Sequence, residues 1–247
     1  MIFLSRNVVH FLVILKQGSR KTKLSADKMV NITVLDELKL KVPDVKLSCI
    51  ECDVYVMETN DVLWDEIRHK IHELATSLKT EEISKIPAIA ASRKAYKACG
   101  KDPARYRLSA EALLRRVVKG KKLYQVNNVV DTLNLVSIST GFSIGGYDVD
   151  KISGNVTFGI GTAKEPYSGI GRGDLNIEFL PAFRDEKGAF GTPTSDAERT
   201  AVTEDTKRFL MVIIDFGGGD LSSATELASE KLKRYAFAKN LKIKTIK

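Results

Sequence analysis

The chain has 247 residues, and its hydrophobic fraction of 43% and charged fraction of 28% are typical of an ordinary globular protein. This length allows one large domain or two small ones. The formal charge of +8 favours a polyanionic partner, although net charge describes association and not fold. The longest early apolar run, residues 8–15, is far below the roughly 18–20 residues that span a bilayer, so we expect no membrane partner.

The first 28 residues are expected to lie outside the fold. Met29 is a plausible natural start, and residues 1–28 are interpreted as an N-terminal extension. This segment has no small-residue cleavage site of the kind that follows a signal peptide. We therefore predict a single domain over residues 29–247 and a cytoplasmic location.

The first predicted elements are two strands, residues 31–42 and 45–56, joined by a turn at Pro43-Asp44. Cys49 and Cys52 lie in the second strand, where residues i and i+3 point to opposite faces. Two further ligands at suitable spacing would be needed for zinc, and a redox pair normally opens a helix. We therefore expect core or edge cysteines of a reduced cytosolic protein, with no metal and no cofactor.

Four helices are predicted next. Apolar residues recur at helical spacing from Leu63 to Leu78, with Asp61 as the N-cap. A second helix covers residues 87–99 and ends at Gly100, and a third, capped by Ser109, covers residues 110–119. A fourth begins at Asn127 or Asn128 and ends at Gly141.

The remainder of the chain has mainly β character. Strands are predicted over residues 155–162, 175–183 and 208–216, the last being apolar enough to be buried on both faces. A final helix is predicted from Ser223, with Glu226 completing a capping box, to about Lys239. The simplest fold class for this order of elements is α+β.

Residues 127–136 and 145–148 carry a resemblance to a known family. Asn127, Asn128, Val129, Val130, Asp131 and Asn134 match a helix that reads roughly Asn-Asn-(Val/Ile)-Val-Asp-(Val/Ile)-Thr-Asn-Tyr, and Tyr147 and Asp148 match a following His-Ala-(Phe/Tyr)-Asp loop. This pattern resembles the tRNA-editing module of the phenylalanyl-tRNA synthetase beta subunit. Gly145 stands where the family has histidine, and Leu133 where it has threonine.

A second block agrees with this resemblance in order and approximate spacing. It comprises the glycine-rich turn at residues 188–191, the segment 202–206 and the apolar run 209–214. The two blocks together cover about residues 86–216. No other synthetase domain fits beside them, so the chain resembles a free-standing form of the module. The resemblance implies a layered domain with β-sandwich-like sheets flanked by helices.

The resemblance implies a tRNA-associated protein that hydrolyses mischarged aminoacyl-tRNA in trans. If the chain is an enzyme, it is then an aminoacyl-tRNA deacylase, an ester hydrolase. Asn134 would hold the terminal ribose or the attacking water, and Asp131 lies one turn away on the same helix face. Both side chains could equally satisfy buried backbone groups.

Two further segments supply candidate substrate-binding residues. Gly145 and Gly146 permit close approach of a ligand to the backbone beside Tyr147 and Asp148, or form a simple turn. The backbone N–H groups of Gly188 and Gly191 would contact the ester. A group of polar residues lies between a turn and a buried strand, where binding sites are often built. The alternative is that these residues form a hydrogen-bonded capping loop. They are Ser195, Asp196, Arg199 and Thr200.

A basic region with interleaved tyrosines precedes the family helix. Such a region is typical of RNA contact, because cations displace counterions from phosphates and rings stack on exposed bases. Solvated helix faces would produce the same composition. The candidate RNA-binding residues are Arg93, Lys94, Lys97, Arg105, Arg107, Arg115 and Arg116.

Three functional hypotheses follow from these features. The chain has no histidine in its second half, so a Ser-His-Asp or Cys-His arrangement there is excluded, and hydrolysis would depend on positioning and electrostatics. The alternative is a non-catalytic module that binds RNA, an amino acid or a nucleotide. A third hypothesis is a metabolic protein that uses the fold for an unrelated small molecule and has no affinity for RNA.

Overall fold

A computed structural model describes residues 29–247, so the predicted extension over residues 1–28 lies outside the described residues. Ten strands and six α-helices lie within this range, and the predicted α+β layered architecture is confirmed. The helices are α1 (Asp36–Lys41), α2 (Asp61–Ser77), α3 (Pro87–Cys99), α4 (Ser109–Val118), α5 (Asn128–Thr140) and α6 (Leu221–Tyr235). The strands are β1 (Ile32–Val34), β2 (Lys46–Asp53), β3 (Ser143–Asp148), β4 (Val156–Ile160), β5 (Ser168–Gly169), β6 (Gly173–Asp174), β7 (Pro181–Asp185), β8 (Gly188–Gly191), β9 (Arg208–Asp215) and β10 (Lys239–Ile246).

Two four-stranded sheets and a short hairpin organise these strands. The first sheet has the order β1-β4-β7-β8, in which β1 and β4 are parallel and the other pairs are antiparallel. The second sheet has the order β10-β2-β9-β3 and is antiparallel throughout. Strands β5 and β6 form the hairpin.

The core has two apolar layers on opposite faces of the second sheet. The layer between the two sheets contains a group of aromatic rings, with Phe158 stacked on Phe183 at 4.1 Å between ring centroids. The other layer joins the second sheet to α5 and α6 and includes Val129, Leu133 and Phe209. Strand β9 contributes alternate side chains to both layers, which explains its nearly continuous apolar sequence.

Several predicted elements are confirmed. Helix α3 begins at Pro87 and ends at Gly100, whose φ of +99° is the left-handed conformation favoured at helix C-termini. Helix α5 is capped by the Asn127 side chain and ends at Gly141 with φ of +78°. Cys49 and Cys52 are buried in β2, as expected for cysteines of the core.

Other predictions were wrong in detail. Residues 31–42 form the short strand β1 followed by helix α1, and residues 175–180 precede β7 without forming a strand. The residues that precede α2 and α4 are Asn60 and Leu108, so Asp61 and Ser109 already lie inside their helices. Helix α6 begins at Leu221, where the Asp220 side chain accepts from the Ser223 N–H, and strand β10 was missed.

Candidate functional site

Residues 191–196 form a tight turn that leaves β8 and presents Asp196. The Thr192 hydroxyl donates to the Ser195 carbonyl at 2.9 Å and accepts from the Ser195 N–H at 3.0 Å. The Tyr96 hydroxyl of α3 hydrogen-bonds the Thr194 hydroxyl at 2.9 Å, deep in the core. A turn held by its own side chains and by a helix gives the following carboxylate a fixed position.

Asp196 joins two segments that were predicted separately. The Tyr147 hydroxyl donates to Asp196 Oδ1 at 2.9 Å, and the Gly146 N–H donates to Oδ2 at 3.2 Å. Burial raises the pKa of the Asp196 carboxyl to about 7, and the two donated hydrogen bonds, which lower it, only partly offset that effect. The carboxyl group therefore changes its charge near neutral pH.

Tyr147 fills the space that a side chain at position 145 would need. A Cβ atom added to Gly145 would lie 2.1 Å from the Tyr147 hydroxyl oxygen, and one added to Gly191 would lie at the same distance. The ring is buried and packs edge-on against Phe190, with 4.9 Å between centroids. The two glycines are thus required by the buried hydroxyl that contacts Asp196.

The raised pKa of Asp196 predicts a pH-dependent stability. Its folded pKa of about 7 exceeds the unfolded value of about 3.9, so the folded state binds more protons between those values. The contribution of Asp196 to the free energy of unfolding is therefore largest below pH 4 and is lost as pH rises through about 7. Urea unfolding from pH 4 to 9 should show this loss in the wild type relative to Asp196→Asn; parallel curves would contradict the shifted pKa.

Two other predicted substrate-binding residues, Asp148 and Arg199, are engaged by neighbouring side chains, and a third, Thr200, is not engaged by any within the part of the chain that the structure describes. The Asp148 carboxylate accepts from the Thr206 hydroxyl at 2.8 Å, and Arg199 pairs with Asp185 at 2.6 Å. Thr200 is buried, and its hydroxyl has no hydrogen-bond partner within residues 29–247.

The two predicted loops are strands. Residues 145–148 belong to β3, and residues 188–191 form β8, which pairs with β7. Arg199 also donates to the Gly188 carbonyl at 2.6 Å. Sheet pairing engages the backbone groups that the predicted loop at 188–191 was expected to offer to the ester.

The two candidate catalytic residues of α5 have different surroundings. Asp131 is buried and accepts hydrogen bonds from the Thr59 hydroxyl and from the Val126 N–H, at 3.2 Å in the latter case. Burial raises its pKa, against the effect of both hydrogen bonds. The Asn134 side chain is partly exposed and has no hydrogen-bond partner in the described part of the chain. Asn134 is therefore the one of the two that is available to a ligand.

The basic region contains a buried carboxylate, that of Glu111. Glu111 is buried and pairs with Arg93 at 2.8 Å and with Arg115 at 2.9 Å, while Arg107 lies 3.9 Å away. The Arg93–Glu111 pair links α3 to α4, whereas Arg115 lies on α4 itself and Arg107 shortly before it. Lys94, Lys97 and Arg105 are exposed, and Arg116 stacks over the exposed Tyr124 ring at 4.1 Å.

A cleft of about 1180 Å³ adjoins the turn that carries Asp196. Tyr167, Gly188, Ala197 and Arg199 line it. The other charged lining residues are Lys164, Lys187, Glu165, Asp174, Glu178 and Glu198. Sequence reasoning missed Tyr167, whose hydroxyl donates to the Ser195 carbonyl. Over residues 29–247 there is no group of three potential metal-ligating side chains, and no helix is long and apolar enough to cross a membrane.

The chain is similar to known proteins in two comparisons. A family model described as the B3/4 domain matches residues 91–242. A crystal structure of an N-terminal fragment of the phenylalanyl-tRNA synthetase beta-subunit from Pyrococcus horikoshii is similar, with 16% sequence identity and a TM-score of 0.46. The match covers 89% of this chain and 51% of the fragment, so the chain spans about half of the fragment's length. No curated protein matches the chain.

Proposed function

The chain belongs to the B3/4 domain family and is a homologue of the editing module of the phenylalanyl-tRNA synthetase beta subunit, and we propose that it hydrolyses mischarged aminoacyl-tRNA. In this proposal it acts in trans, on the ester that links an amino acid to the terminal ribose. The products are the free amino acid and uncharged tRNA.

The Asp196 carboxyl group is the observation that carries this proposal. A general base works best when its pKa is near the operating pH, and burial raises that of Asp196 to about 7. Each carboxylate oxygen has two lone pairs, of which the Tyr147 hydroxyl and the Gly146 N–H occupy one each. Asp196 is half-buried and directly precedes Ala197, which lines the cleft. In the proposal, a remaining lone pair of its carboxylate accepts a proton from a water molecule that enters from the cleft.

The proposed reaction is a single addition of water to the ester carbonyl. Asp196 accepts a proton from water as the water oxygen bonds to the carbonyl carbon. The bond to the ribose oxygen then breaks, and the proton passes from Asp196 to that oxygen. An aminoacyl ester is already activated, so a positioned water and one base suffice for this chemistry.

The surrounding residues orient the base and the substrate. The Tyr147 hydroxyl orients Asp196 through their hydrogen bond, because this buried hydroxyl is confined between Gly145 and Gly191. The partly exposed Asn134 is proposed to contact the terminal ribose, which is the role that the family resemblance implies. Helix α5 packs beside Gly146 through Leu133, which keeps Asn134 on an element next to the Asp196 site.

Deacylation of a panel of aminoacyl-tRNAs by the full chain tests the proposal. Turnover of a mischarged species, with the correctly charged form of the same tRNA spared, is the expected result. Tight, salt-sensitive binding of tRNA without turnover of any member would contradict hydrolysis and leave a non-catalytic RNA-binding module. The absence of both binding and turnover would contradict any association with tRNA.

The exposed cations beside Tyr124 are proposed to contact tRNA phosphates. Lys119, Lys121 and Lys122 are exposed and follow α4, next to the stacked pair of Arg116 and Tyr124. Lys121→Glu combined with Lys122→Glu should weaken tRNA binding and lower the slope of log Kd against log salt by about one for each phosphate that the variant no longer binds.

A matched control makes the same change in net charge at another surface. Lys79 and Lys85 are exposed near the start of α3, and the Lys79→Glu, Lys85→Glu variant should bind tRNA as the wild type does, apart from a small general effect of charge. An equal loss of tRNA affinity in the two double variants would show that binding depends on net charge and not on the surface beside Tyr124.

A further inference from the structure

An exposed aromatic pair lies at the end of β2, on a surface that the proposed hydrolytic site does not use. Tyr55 is 60% exposed and Phe237 is 48% exposed, and their rings meet edge to face with centroids 6.3 Å apart. Together with Met57 and Lys239 they line a shallow cleft of about 490 Å³. We name these four residues the aromatic patch.

The backbone beneath the aromatic patch is held by an asparagine of the family motif. The Asn128 side chain accepts from the Met57 N–H at 2.9 Å and donates to the carbonyls of Tyr55 and Tyr235 at 2.9 and 2.8 Å. The Tyr55 N–H also donates to the Ala236 carbonyl at 3.1 Å. These bonds join the segment after β2 to the end of α6, which keeps the backbones that carry the two rings side by side.

Phe237 occupies a backbone position that normally favours glycine. Its φ is +54°, in the left-handed region, directly after the end of α6. A bulky residue is disfavoured in this region, and an exposed ring gains little from folding. The Phe237 ring packs on Tyr55, and a ligand that stacks on this pair would account for an aromatic residue at the position.

The chain segment that runs from the end of α6 through β10 is rich in cations. Residues 231–247 contain seven basic residues and no aspartate or glutamate. Lys231 is paired with Glu66 at 2.8 Å, and Asp53 is the carboxylate that lines the cleft, where it accepts from Asn240 at 2.7 Å. Lys239 and Lys244 are exposed on the same strand. Lys239 is thus the cation of the cleft itself, and Lys244 extends the positive charge along β10, which suits a polyanion that also carries flat apolar groups.

We propose that the aromatic patch binds unpaired bases of a single-stranded RNA segment. Bases would stack on Phe237 and Tyr55, and Lys239 with its neighbouring lysines would contact the phosphates. Two adjacent exposed rings beside Lys239 and the lysines of β10 favour this ligand over an apolar protein surface, which would gain nothing from the positive charge. The site is independent of hydrolysis, so Asp196→Asn should bind single-stranded RNA as the wild type does.

Fluorescence anisotropy with a labelled single-stranded RNA of about ten nucleotides tests this assignment on the full chain. Phe237→Gly removes the ring and relieves the left-handed backbone, so the variant should keep its thermal stability while its Kd rises about tenfold. Tyr55→Ser should also raise the Kd for the single-stranded RNA, and this variant provides the test if Phe237→Gly folds poorly. Blunt double-stranded RNA, whose bases are stacked, should bind both variants and the wild type alike.

Phe179 provides a matched control. It is 46% exposed and has a φ of +65°, but it lies beside Gly100, and Phe179→Gly should leave binding of the single-stranded RNA unchanged. Unchanged binding by Phe237→Gly and Tyr55→Ser, or an equal loss in Phe179→Gly, would overturn the proposal. So would a dimer of the wild type that Phe237→Gly disperses without altering RNA affinity, because the patch would then serve a second copy of the chain.

Discussion

Replacing Asp196 by Asn should lower kcat/KM for aminoacyl-tRNA hydrolysis by about 10²–10⁴-fold, the usual contribution of a general base. The amide oxygen can still accept from the Gly146 N–H, and the amide nitrogen can donate to the Tyr147 hydroxyl oxygen, so the local geometry is retained. The proton-accepting function alone is lost. Single-turnover hydrolysis at saturating enzyme measures this loss separately from tRNA binding, which should be unchanged.

Asp131→Asn is the informative comparison, because the sequence resemblance placed Asp131 with Asn134 at the catalytic position. The Asp131 carboxylate is engaged by Thr59 and the Val126 N–H, so the variant should lose stability and keep most of its turnover. Loss of turnover in Asp131→Asn with retention in Asp196→Asn would reverse the two assignments.

Adding one methyl group at Gly145 should destabilise the fold by about 3 kcal/mol, at the upper end of the usual cost of overpacking a core. The added Cβ would lie 2.1 Å from the Tyr147 hydroxyl oxygen and 2.5 Å from Cζ, in a fully buried site. Tyr147→Phe should therefore fail to rescue Gly145→Ala, because the ring carbon remains too close. Displacement of Tyr147 also removes a partner of Asp196, so hydrolysis should fall as well.

Gly146→Ala is the control for this substitution, and urea unfolding at constant pH is the measurement. The nearest atom to a Cβ at Gly146 is Leu133 Cδ1 at 2.7 Å, the end of a flexible side chain that can move. Gly146→Ala should therefore lose clearly less stability than Gly145→Ala. A Gly145→Ala variant as stable as the wild type would show that Tyr147 is not confined as described, and that a histidine could be placed at this position.

The elements that could be predicted from the sequence are those with local signals. Pro87 and Gly100 bound α3, and Asn127 and Gly141 bound α5, because capping depends on residues adjacent in the chain. Helix α1 was missed because it is short and its apolar and charged residues alternate as they do in a strand. Leu40, which that alternation would bury, is 83% exposed.

The candidate site was only partly predictable, because its contacts join distant parts of the chain. Tyr147 and Asp196 were both selected from sequence, but their hydrogen bond spans 49 residues and depends on the space left by two glycines. Similarly, Glu111 and Arg93 lie on different helices, so their ion pair has no local pattern. Arginines that pair with a buried carboxylate therefore looked the same in the sequence as arginines exposed to RNA.

The pH dependence of kcat/KM for hydrolysis of a mischarged aminoacyl-tRNA tests the central role of Asp196 most directly. Catalysis by a base with a pKa of about 7 predicts a rate that rises with pH, is half-maximal near pH 7 and then becomes constant, and this profile should vanish in Asp196→Asn. A rate that increases without a plateau, in proportion to hydroxide and equally in both proteins, would contradict the proposed mechanism.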